Sequence, residues 1–346
     1  MRKQIGWDIG GAHLKAVLLN DGGQVTFAKQ LPCALWLGLD RLETAIVMVL
    51  KSVGIAAEQS NHSVTMTGEL ADLFPNRHEG VVQISQLVTK LLGNDAVFYC
   101  MDNVITGDSF LARHEVLSNT SMVASANWHA SATLLAKQIP NALLIDIGST
   151  TTDIVAIENG KVIDRGLTDA SRMQQDSLVY TGVVRTPVMA VAQKLMLDGK
   201  EANVAAEHFA TMSDVYRITE ELSPDVDMAD TADKEAKTIS ASAKRLARMV
   251  GYDVENKPMK YWQQLAWDCR EKQMTQIQSA VIKQMKADMR IVGAGAGEFL
   301  VKAIAHTLDR PYVELASLLK GDIRHNLAVC FPAYAVAKLA LLREAK

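Results

Sequence analysis

The sequence predicts a two-domain protein built from strands and helices, and three observations support this expectation. The chain has 346 residues, which is enough for two domains of ordinary size. A strand–turn–strand pattern occurs twice, in segments 5–25 and 143–162, with Asp146 following Asp8 by 138 residues in matching context. A glycine-rich strand–turn–helix pattern appears late in the chain, at 290–308. We therefore expect two similar halves, each with its own hairpin.

Each copy of the repeat contains a strand, a tight Asp-Ile-Gly turn and a second apolar strand. The turn glycine lets the backbone approach a ligand closely, so that successive amides face an anion. An aspartate before such a turn can hold Mg²⁺, which bridges carboxylate and phosphate. Both aspartates could instead cap their turns, but their matched occurrence favours phosphate binding. The phosphate-binding candidates are Gly10, Gly11, Gly148, Ser149, Thr150 and Thr151, and the metal candidates are Asp8, Asp146 and Asp153.

The late glycine-rich element carries Gly293, Gly295 and Gly297, followed by apolar residues at helical spacing over 299–308. The GxGxG spacing and the late position differ from the dinucleotide-binding fingerprint. Its amides are expected to point into a cleft, where they would hold a nucleotide or another substrate. Taken alone, the element is better explained by close packing of a strand on a helix.

Composition and charge exclude several classes of protein. Hydrophobic residues make up 49% of the chain and charged residues 22%, which is typical of folded globular proteins. A net charge of −3 argues against a partner bound through nucleic-acid phosphates. The four cysteines form no CxxC pair, and no apolar run has the length of a membrane span. Without a signal-peptide pattern either, we expect a cytoplasmic protein with small-molecule ligands and no membrane partner.

The two hairpins and the late glycine turn together resemble the sugar kinase, Hsp70 and actin superfamily. That resemblance implies an α/β fold with two ribonuclease-H-like domains that close over a central cleft. The first domain would span 1–138 plus 330–346, with a helix at 331–344. The second would span 139–329 and include a helical insertion around 188–285.

Several segments also resemble the hydantoinase and oxoprolinase branch of that superfamily. Within it, the sequence is most similar to a short family linked to tetrahydromethanopterin-dependent C1 transfer, the methanofuran and methylofuran biosynthesis synthases. The resemblance covers nearly the whole chain. Its segments include WDIGGAHLKA (7–16), TGELADLF (67–74), SANWHA (125–130), DIGSTTTDI (146–154), LVYTGVVRTPV (178–188) and DMADTAD (227–233).

This family resemblance implies an ether-forming transfer. An aminomethyl-furanmethanol diphosphate is the electrophile, the phenol oxygen of γ-glutamyltyramine attacks, and diphosphate leaves. A furfuryl carbon carries positive charge well, so the main catalytic demand is to stabilise the leaving group. Mg²⁺ and backbone donors aimed at the diphosphate would meet that demand electrostatically. ATP is not required for this reaction, although the fold could bind it.

Several charged or titratable side chains are candidates for phosphate binding and proton transfer in this reaction. Lys15 could reach a phosphate oxygen, and Arg185 could bind diphosphate or the γ-glutamyl carboxylate through two nitrogens. The phenol, with an unperturbed pKa near 10, needs a proton acceptor, for which His13, Glu69 and His129 are candidates. For each of these residues a structural role, as a loop residue, a salt-bridge partner or a buried hydrogen-bonded group, is the alternative.

A further group of residues is assigned to substrate contacts. Aromatic rings could stack on the furan or phenol, although aromatic residues are most often part of the core. Aspartates of the 227–233 segment could bind the substrate ammonium or belong to a solvated loop. The residues concerned are Asn127, Trp128, Tyr180, Asp230 and Asp233.

Two other functions stay open. An ATP-dependent small-molecule kinase would use the same aspartates for Mg²⁺–ATP and the glycine turn for the nucleoside. A nucleotide-sensing scaffold within a C1 pathway would bind without turnover. The fold alone does not choose among these functions. A homodimer is compatible with each of them.

Overall fold

The computed structural model describes residues 3–101, 109–163, 166–319 and 327–344, and the chain divides into two units. The first unit comprises Met1–Ala142, Ile157–Ser171 and Glu314–Lys346, and the second comprises Leu143–Ala156 and Arg172–Val313. The sequence-based bounds place 139–142, 157–171, 314–319 and 327–329 in the second domain, whereas these residues cluster with the first unit. One reason is that the hairpin turn at 159–160 is bonded to the first unit: the amide of Gly160 donates to the carbonyl of Pro140 at 2.9 Å, and the amide of Asn159 donates to the side chain of Asn141 at 2.9 Å.

The described residues form alternating strands and helices. The strands are β1 (Lys3–Ile9), β2 (His13–Leu19), β3 (Val25–Pro32), β4 (Ser60–Met66), β5 (Val97–Tyr99), β6 (Phe110–Ala112), β7 (Ala142–Ile147), β8 (Thr152–Glu158), β9 (Lys161–Val162), β10 (Leu178–Val179), β11 (Lys194–Leu197), β12 (Lys200–Asn203), β13 (Arg290–Ala294) and β14 (Tyr312–Glu314). The helices are α1 (Leu39–Val53), α2 (Arg77–Leu92), α3 (Arg113–Val116), α4 (Thr120–Val123), α5 (Asn127–Ala136), α6 (Asp169–Gln174), α7 (Val188–Val191), α8 (Met212–Ile218), α9 (Ile239–Arg248), α10 (Met259–Gln284), α11 (Glu298–Thr307), α12 (Leu315–Leu318) and α13 (Phe331–Glu344).

The first sheet has the strand order β3-β2-β1-β4-β5-β6. Strands β1 and β2 pair antiparallel, as the repeat predicts, whereas β1 and β4 pair parallel. Strand β1 is buried from Gln4 to Ile9, which is typical of a strand covered on both faces. The predicted last helix, α13, packs on β1 so closely that a Cβ at Gly6 would lie 1.9 Å from the carbonyl oxygen of Ala333. A glycine is therefore required at that crossing.

The second sheet has the order β10-β8-β7-β13-β14, so β7 and β8 form the predicted second hairpin. In each sheet the first hairpin strand lies between its hairpin partner and a later strand, β4 or β13. The region 188–285 contains the expected helices α8, α9 and α10. It also contains an antiparallel strand pair, β11–β12, that its composition did not indicate. Within the described ranges, no helix combines the length and apolar character needed to cross a membrane.

Candidate functional site

The two repeated turns close with the same hydrogen bond. The amide of Gly10 donates to the carbonyl of His13 at 2.9 Å, and the amide of Gly148 donates to the carbonyl of Thr151 at 2.8 Å. These four positions are equivalent at the repeat spacing. The duplication seen in the sequence is therefore also a duplication of backbone geometry.

In the second unit, the segment containing Gly182 lies directly against this turn. A Cβ at Gly182 would lie 2.5 Å from the amide nitrogen of Thr150 and 2.6 Å from the carbonyl oxygen of Gly148. The amide of Val183 donates to the carbonyl of Gly148 at 3.0 Å, and the amide of Arg185 donates to the carbonyl of Ser149 at 2.8 Å. The Arg185 side chain is exposed. Two carbonyls of the hairpin turn thus accept hydrogen bonds from the backbone of segment 181–185.

The late glycine turn lies against the same hairpin turn. Gly295 has a φ of +84°, and a Cβ there would lie 2.3 Å from Oδ1 of Asp146 and 2.4 Å from the carbonyl oxygen of Ile147. The amide of Gly297 donates to that carbonyl at 2.8 Å. The structure therefore brings together two elements that are about 150 residues apart in sequence and were predicted independently.

We call the three segments 146–150, 181–185 and 293–297 the glycine cradle. Within it, the hydroxyl oxygen of Ser149 is buried and has no hydrogen-bond partner, whereas Thr152 donates to the carbonyl of Thr181 at 2.7 Å. A buried hydroxyl without a partner is costly unless a ligand or water satisfies it. Backbone amides, a hydroxyl and the Asp146 carboxylate at one turn form a donor set suited to a phosphate with its cation.

Asp153, the third predicted metal ligand, already has a cationic partner. Its Oδ1 lies 2.8 Å from Nη2 of Arg172, whose side chain is only 3% exposed and also donates to the carbonyl of Ser177. Because Arg172 matches the carboxylate's charge in a buried setting, the arrangement favours a structural role over the predicted metal role.

The first unit's turn is arranged differently. Asp8 is 2% exposed, and its Oδ2 lies 3.2 Å from the ammonium of Lys15 on the neighbouring strand, while Oδ1 has no hydrogen-bond partner. Lys15, predicted to reach a phosphate, is thus engaged with the aspartate of its own hairpin. Nearby, burial raises the pKa of the Cys330 thiol to about 12, so this cysteine stays protonated.

Glu69 lies in the loop that follows β4, beside the first turn. The amide of Thr67 donates to the carbonyl of Ile9 at 2.9 Å, which fixes this loop against the turn. The Glu69 side chain is 1% exposed; Ser125 donates to Oε1 at 2.9 Å, and Oε2 has no hydrogen-bond partner. Burial raises the pKa of Glu69 to about 7, although Ser125 and Arg77 lower it in part. This carboxyl can therefore exchange a proton near neutral pH.

The other candidates of the first unit have local contacts. The side chain of Asn127 accepts a hydrogen bond from the amide of Trp128 at the start of α5, and Trp128 is buried. His129 shares a hydrogen bond of 2.9 Å with the hydroxyl of Tyr99. His13 is half-buried at the first residue of β2. These contacts favour structural roles for Asn127, Trp128 and His129.

In the acidic segment 227–233, two of the aspartates form ion pairs. Asp233 pairs with Arg245 at 2.9 Å, and Asp227 pairs with Arg217 at 2.7 Å. Both arginines also contact the fully buried Asp214. Burial opposes ionisation of Asp233, but the amide of Glu235 and the guanidinium of Arg245 hold its pKa below the usual value. The segment therefore closes a charge network inside the second unit, which argues against the predicted ammonium-binding role of Asp233.

Two remaining candidates, Asp230 and Tyr180, are exposed.

The hydantoinase/oxoprolinase family model matches residues 61–340, which is most of the chain and includes both the Glu69 loop and the glycine cradle. The chain belongs to this family. The match agrees with the resemblance inferred from the sequence segments.

Two curated relatives of this hydantoinase/oxoprolinase protein carry the same description, (4-{4-[2-(gamma-L-glutamylamino)ethyl]phenoxymethyl}furan-2-yl)methanamine synthase. The protein from Methanocaldococcus jannaschii is 32% identical over 252 residues, covering 72% of this chain and 72% of the relative. The protein from Methanococcus vannielii is 32% identical over 114 residues, covering 33% of this chain and 51% of the relative. Both relatives are enzymes.

Solved structures show the fold. Component A of the Acidaminococcus fermentans (R)-2-hydroxyglutaryl-CoA dehydratase is 14% identical and has a TM-score of 0.50, with both chains fully covered. Nucleotide-free acetone carboxylase is 10% identical and has a TM-score of 0.57, covering 97% of this chain and 70% of the carboxylase chain. The family protein therefore shares the α/β fold of these two structures, which agrees with the fold class expected from the sequence.

Within the described ranges no group of three or more histidine, cysteine or carboxylate side chains is placed to hold a metal. Mg²⁺ commonly takes one or two carboxylates and completes its shell with water and phosphate oxygens. Asp146, half-buried beside the unsatisfied Ser149 hydroxyl, fits that pattern.

Proposed function

We propose that the protein is a transferase that joins a phenol to a furan-bearing methylene carbon. The phenol oxygen of γ-glutamyltyramine forms a bond to that carbon while the bond from carbon to the diphosphate oxygen breaks. The phenol proton passes to a base, and the products are the aryl ether and diphosphate. The observation that carries this proposal is the 32% identity, over 72% of the chain, to a synthase named for such an ether.

The glycine cradle is our candidate site for the diphosphate. Its amides and the Ser149 hydroxyl would donate to phosphate oxygens, and the positive φ at Gly295 lets the backbone approach without a side chain in the way. Asp146 would hold Mg²⁺, which when bound lowers the energy of the departing diphosphate charge. We give no metal role to Asp153, because Arg172 already holds it.

Glu69 is our candidate proton acceptor. An ordinary carboxylate is a weak base toward a phenol of pKa near 10, and a pKa of about 7 reduces that mismatch. Ser125 holds Oε1, so Oε2 is the oxygen left to receive the proton. This role predicts that the rate rises with pH through neutrality.

This function would place the protein in methanofuran or methylofuran biosynthesis, acting on small molecules in the cytoplasm. The four cysteines Cys33, Cys100, Cys269 and Cys330 are buried and form no disulfide with one another, which supports a reducing compartment. ATP has no part in the proposed reaction.

The test is ³¹P NMR of the purified protein with Mg²⁺. One tube contains γ-glutamyltyramine and the aminomethyl-furanmethanol diphosphate, a second lacks the tyramine compound, and a third contains ATP in place of the furan diphosphate. We expect free diphosphate in the first tube alone, together with the ether in its mass spectrum. ADP in the third tube, together with intact furan diphosphate in the first tube, would favour the kinase hypothesis instead. Binding of ligands without any turnover would favour the scaffold hypothesis.

A further inference from the structure

Gln273 is a polar residue within the core of the second unit. It lies on α10, and its side chain is fully buried. The side-chain amide donates two hydrogen bonds, to the hydroxyl of Thr181 at 2.7 Å and to the carbonyl of Gly182 at 2.9 Å. Both acceptors belong to the glycine cradle. Burying a glutamine amide is costly unless its hydrogen bonds are made, so these specific contacts indicate a specific task.

Tyr216 fixes the orientation of this side chain. Its hydroxyl donates to Oε1 of Gln273, and burial holds the pKa of Tyr216 well above its ordinary value, so the phenol remains a donor. With Oε1 accepting from Tyr216, the amide nitrogen must face Thr181 and Gly182. Neither glutamate, which donates nothing when ionised, nor an apolar residue of similar length reproduces this arrangement.

The segment that Gln273 holds is the one that supports the hairpin turn. Next to Gly182, the amides of Val183 and Arg185 donate to the carbonyls of Gly148 and Ser149. The turn amides, which would face the ligand, lie on the same peptide units as those carbonyls or next to them. The position of the turn thus depends on contacts that run from Tyr216 on α8 through Gln273 on α10 and segment 181–185 to the carbonyls of residues 148 and 149.

We infer that Gln273 is a positioning residue for the anion-binding turn: from α10, it holds segment 181–185 against residues 148–150. It acts through the backbone of that segment and touches no reacting group. The inference rests on the proposed function only for the identity of the anion, because the hydrogen bonds are present without it.

The test compares Gln273→Met with Gln284→Met. Gln284 lies on the same helix, eleven residues or about 16 Å further along, is also buried, and donates to the carbonyl of Gln175 outside the cradle. Hydrogen exchange of the amides in 148–152 and 181–186 is measured in the full-length protein by mass spectrometry. We expect exchange in both segments to rise at least tenfold in Gln273→Met and to stay at the wild-type level in Gln284→Met.

A second readout uses diphosphate with Mg²⁺ in a calorimeter. Gln273→Met should weaken the affinity for diphosphate about tenfold, and the KM for the furan diphosphate should rise by more than kcat falls, because the bound anion helps to restore the turn. Tyr216→Phe should give a smaller change in the same direction. Unchanged exchange in Gln273→Met, or an equal rise in both variants, would overturn the inference. Failure of the proposed function is seen separately, as the absence of ether formation by the unaltered protein.

Discussion

The repeated turn has the same backbone in both units but different charges around it. In the first unit, Asp8 pairs with Lys15, which lies directly across the hairpin. In the second unit, the position equivalent to Lys15 is Asp153, which pairs with Arg172 instead. The first hairpin therefore neutralises its own turn aspartate, while the second places a carboxylate where the first has an ammonium. A duplicated backbone has been kept, and its electrostatics have diverged.

The loop beside each turn has diverged as well. The amide of Thr67 donates to the carbonyl of Ile9, and the amide of Gly297 donates to the equivalent carbonyl of Ile147. In the first unit this loop continues into the buried acid Glu69. In the second it is the glycine turn. The same structural position thus supplies a titratable carboxyl in one copy and closely approaching backbone in the other.

The largest difference between the two units is expected when each turn aspartate is neutralised separately. Asp146→Asn should lower ether formation by about 100-fold or more, because in our proposal this carboxylate would hold the Mg²⁺ that stabilises the leaving diphosphate. Asp8→Asn should instead remove the partner of Lys15 and lower the free energy of unfolding by about 2 kcal/mol. Steady-state rates and thermal unfolding of both variants separate the two effects. Equal losses of activity at equal stability would show that the two turns are equivalent.

Substitutions at two glycines test whether the glycine cradle depends on the close approach of the Gly295 backbone to Asp146. In Gly295→Ala, the new Cβ clashes with Asp146, and the alanine must adopt the left-handed backbone conformation of the glycine. We therefore expect the unfolding free energy to fall by about 2–3 kcal/mol and the affinity for diphosphate to fall at least tenfold. In the first unit, a Cβ at Gly11 meets nothing within 4 Å. Gly11→Ala is therefore the control for stability, with a change in unfolding free energy within about 0.5 kcal/mol. Differential scanning calorimetry and calorimetric titration of both variants measure these quantities.

Glu69 gives the first unit a dependence on pH that the second unit's glycine turn lacks. Its pKa is raised from 4.5 to about 7 in the folded chain, so the folded state binds more protons than the unfolded state between these values. Stability contributed by this residue is therefore lost as pH rises from 4.5 to 7. Relative to Glu69→Gln, the wild type should lose about 3 kcal/mol between pH 4.5 and 8. Urea unfolding at both pH values measures the difference; a constant gap would contradict a raised pKa.

Local features account for most of what the sequence could predict. The alternating apolar pattern and the turn residues predict both hairpins, and the helical pattern predicts α13 with its bounds; the structure confirms these elements. The glycine turn and the second Asp-Ile-Gly turn were each recognised from local chemistry. That Gly295 lies against Asp146 was beyond the sequence, because such a contact joins distant segments.

Partners far apart in sequence could not be predicted. The sequence shows Asp153 and the acidic segment as carboxylates, and only the fold shows that Arg172 and Arg245 lie beside them. One feature of the sequence does point to Gln273. It falls in the buried stripe of α10 with Cys269 and Ile277, at spacings of four residues, where an apolar side chain is expected. A polar residue at such a position indicates a buried hydrogen-bond partner, but not which one.

The smallest expected effect concerns the Ser125 hydroxyl, which gives the buried Glu69 carboxylate a hydrogen bond. Ser125 has a φ of +51° and donates to Glu69 Oε1, which stabilises the ionised carboxylate. Ser125→Ala should therefore raise the midpoint of the pH–rate profile by about one pH unit, with little change in the limiting rate at high pH. The control is Ser131→Ala, since Ser131 is also buried but donates to the backbone carbonyl of Asn127. A midpoint that moves equally in both variants, or in neither, would mean that the rate reports a different proton. The chemistry assigned to the loop after β4 would then belong elsewhere in the chain.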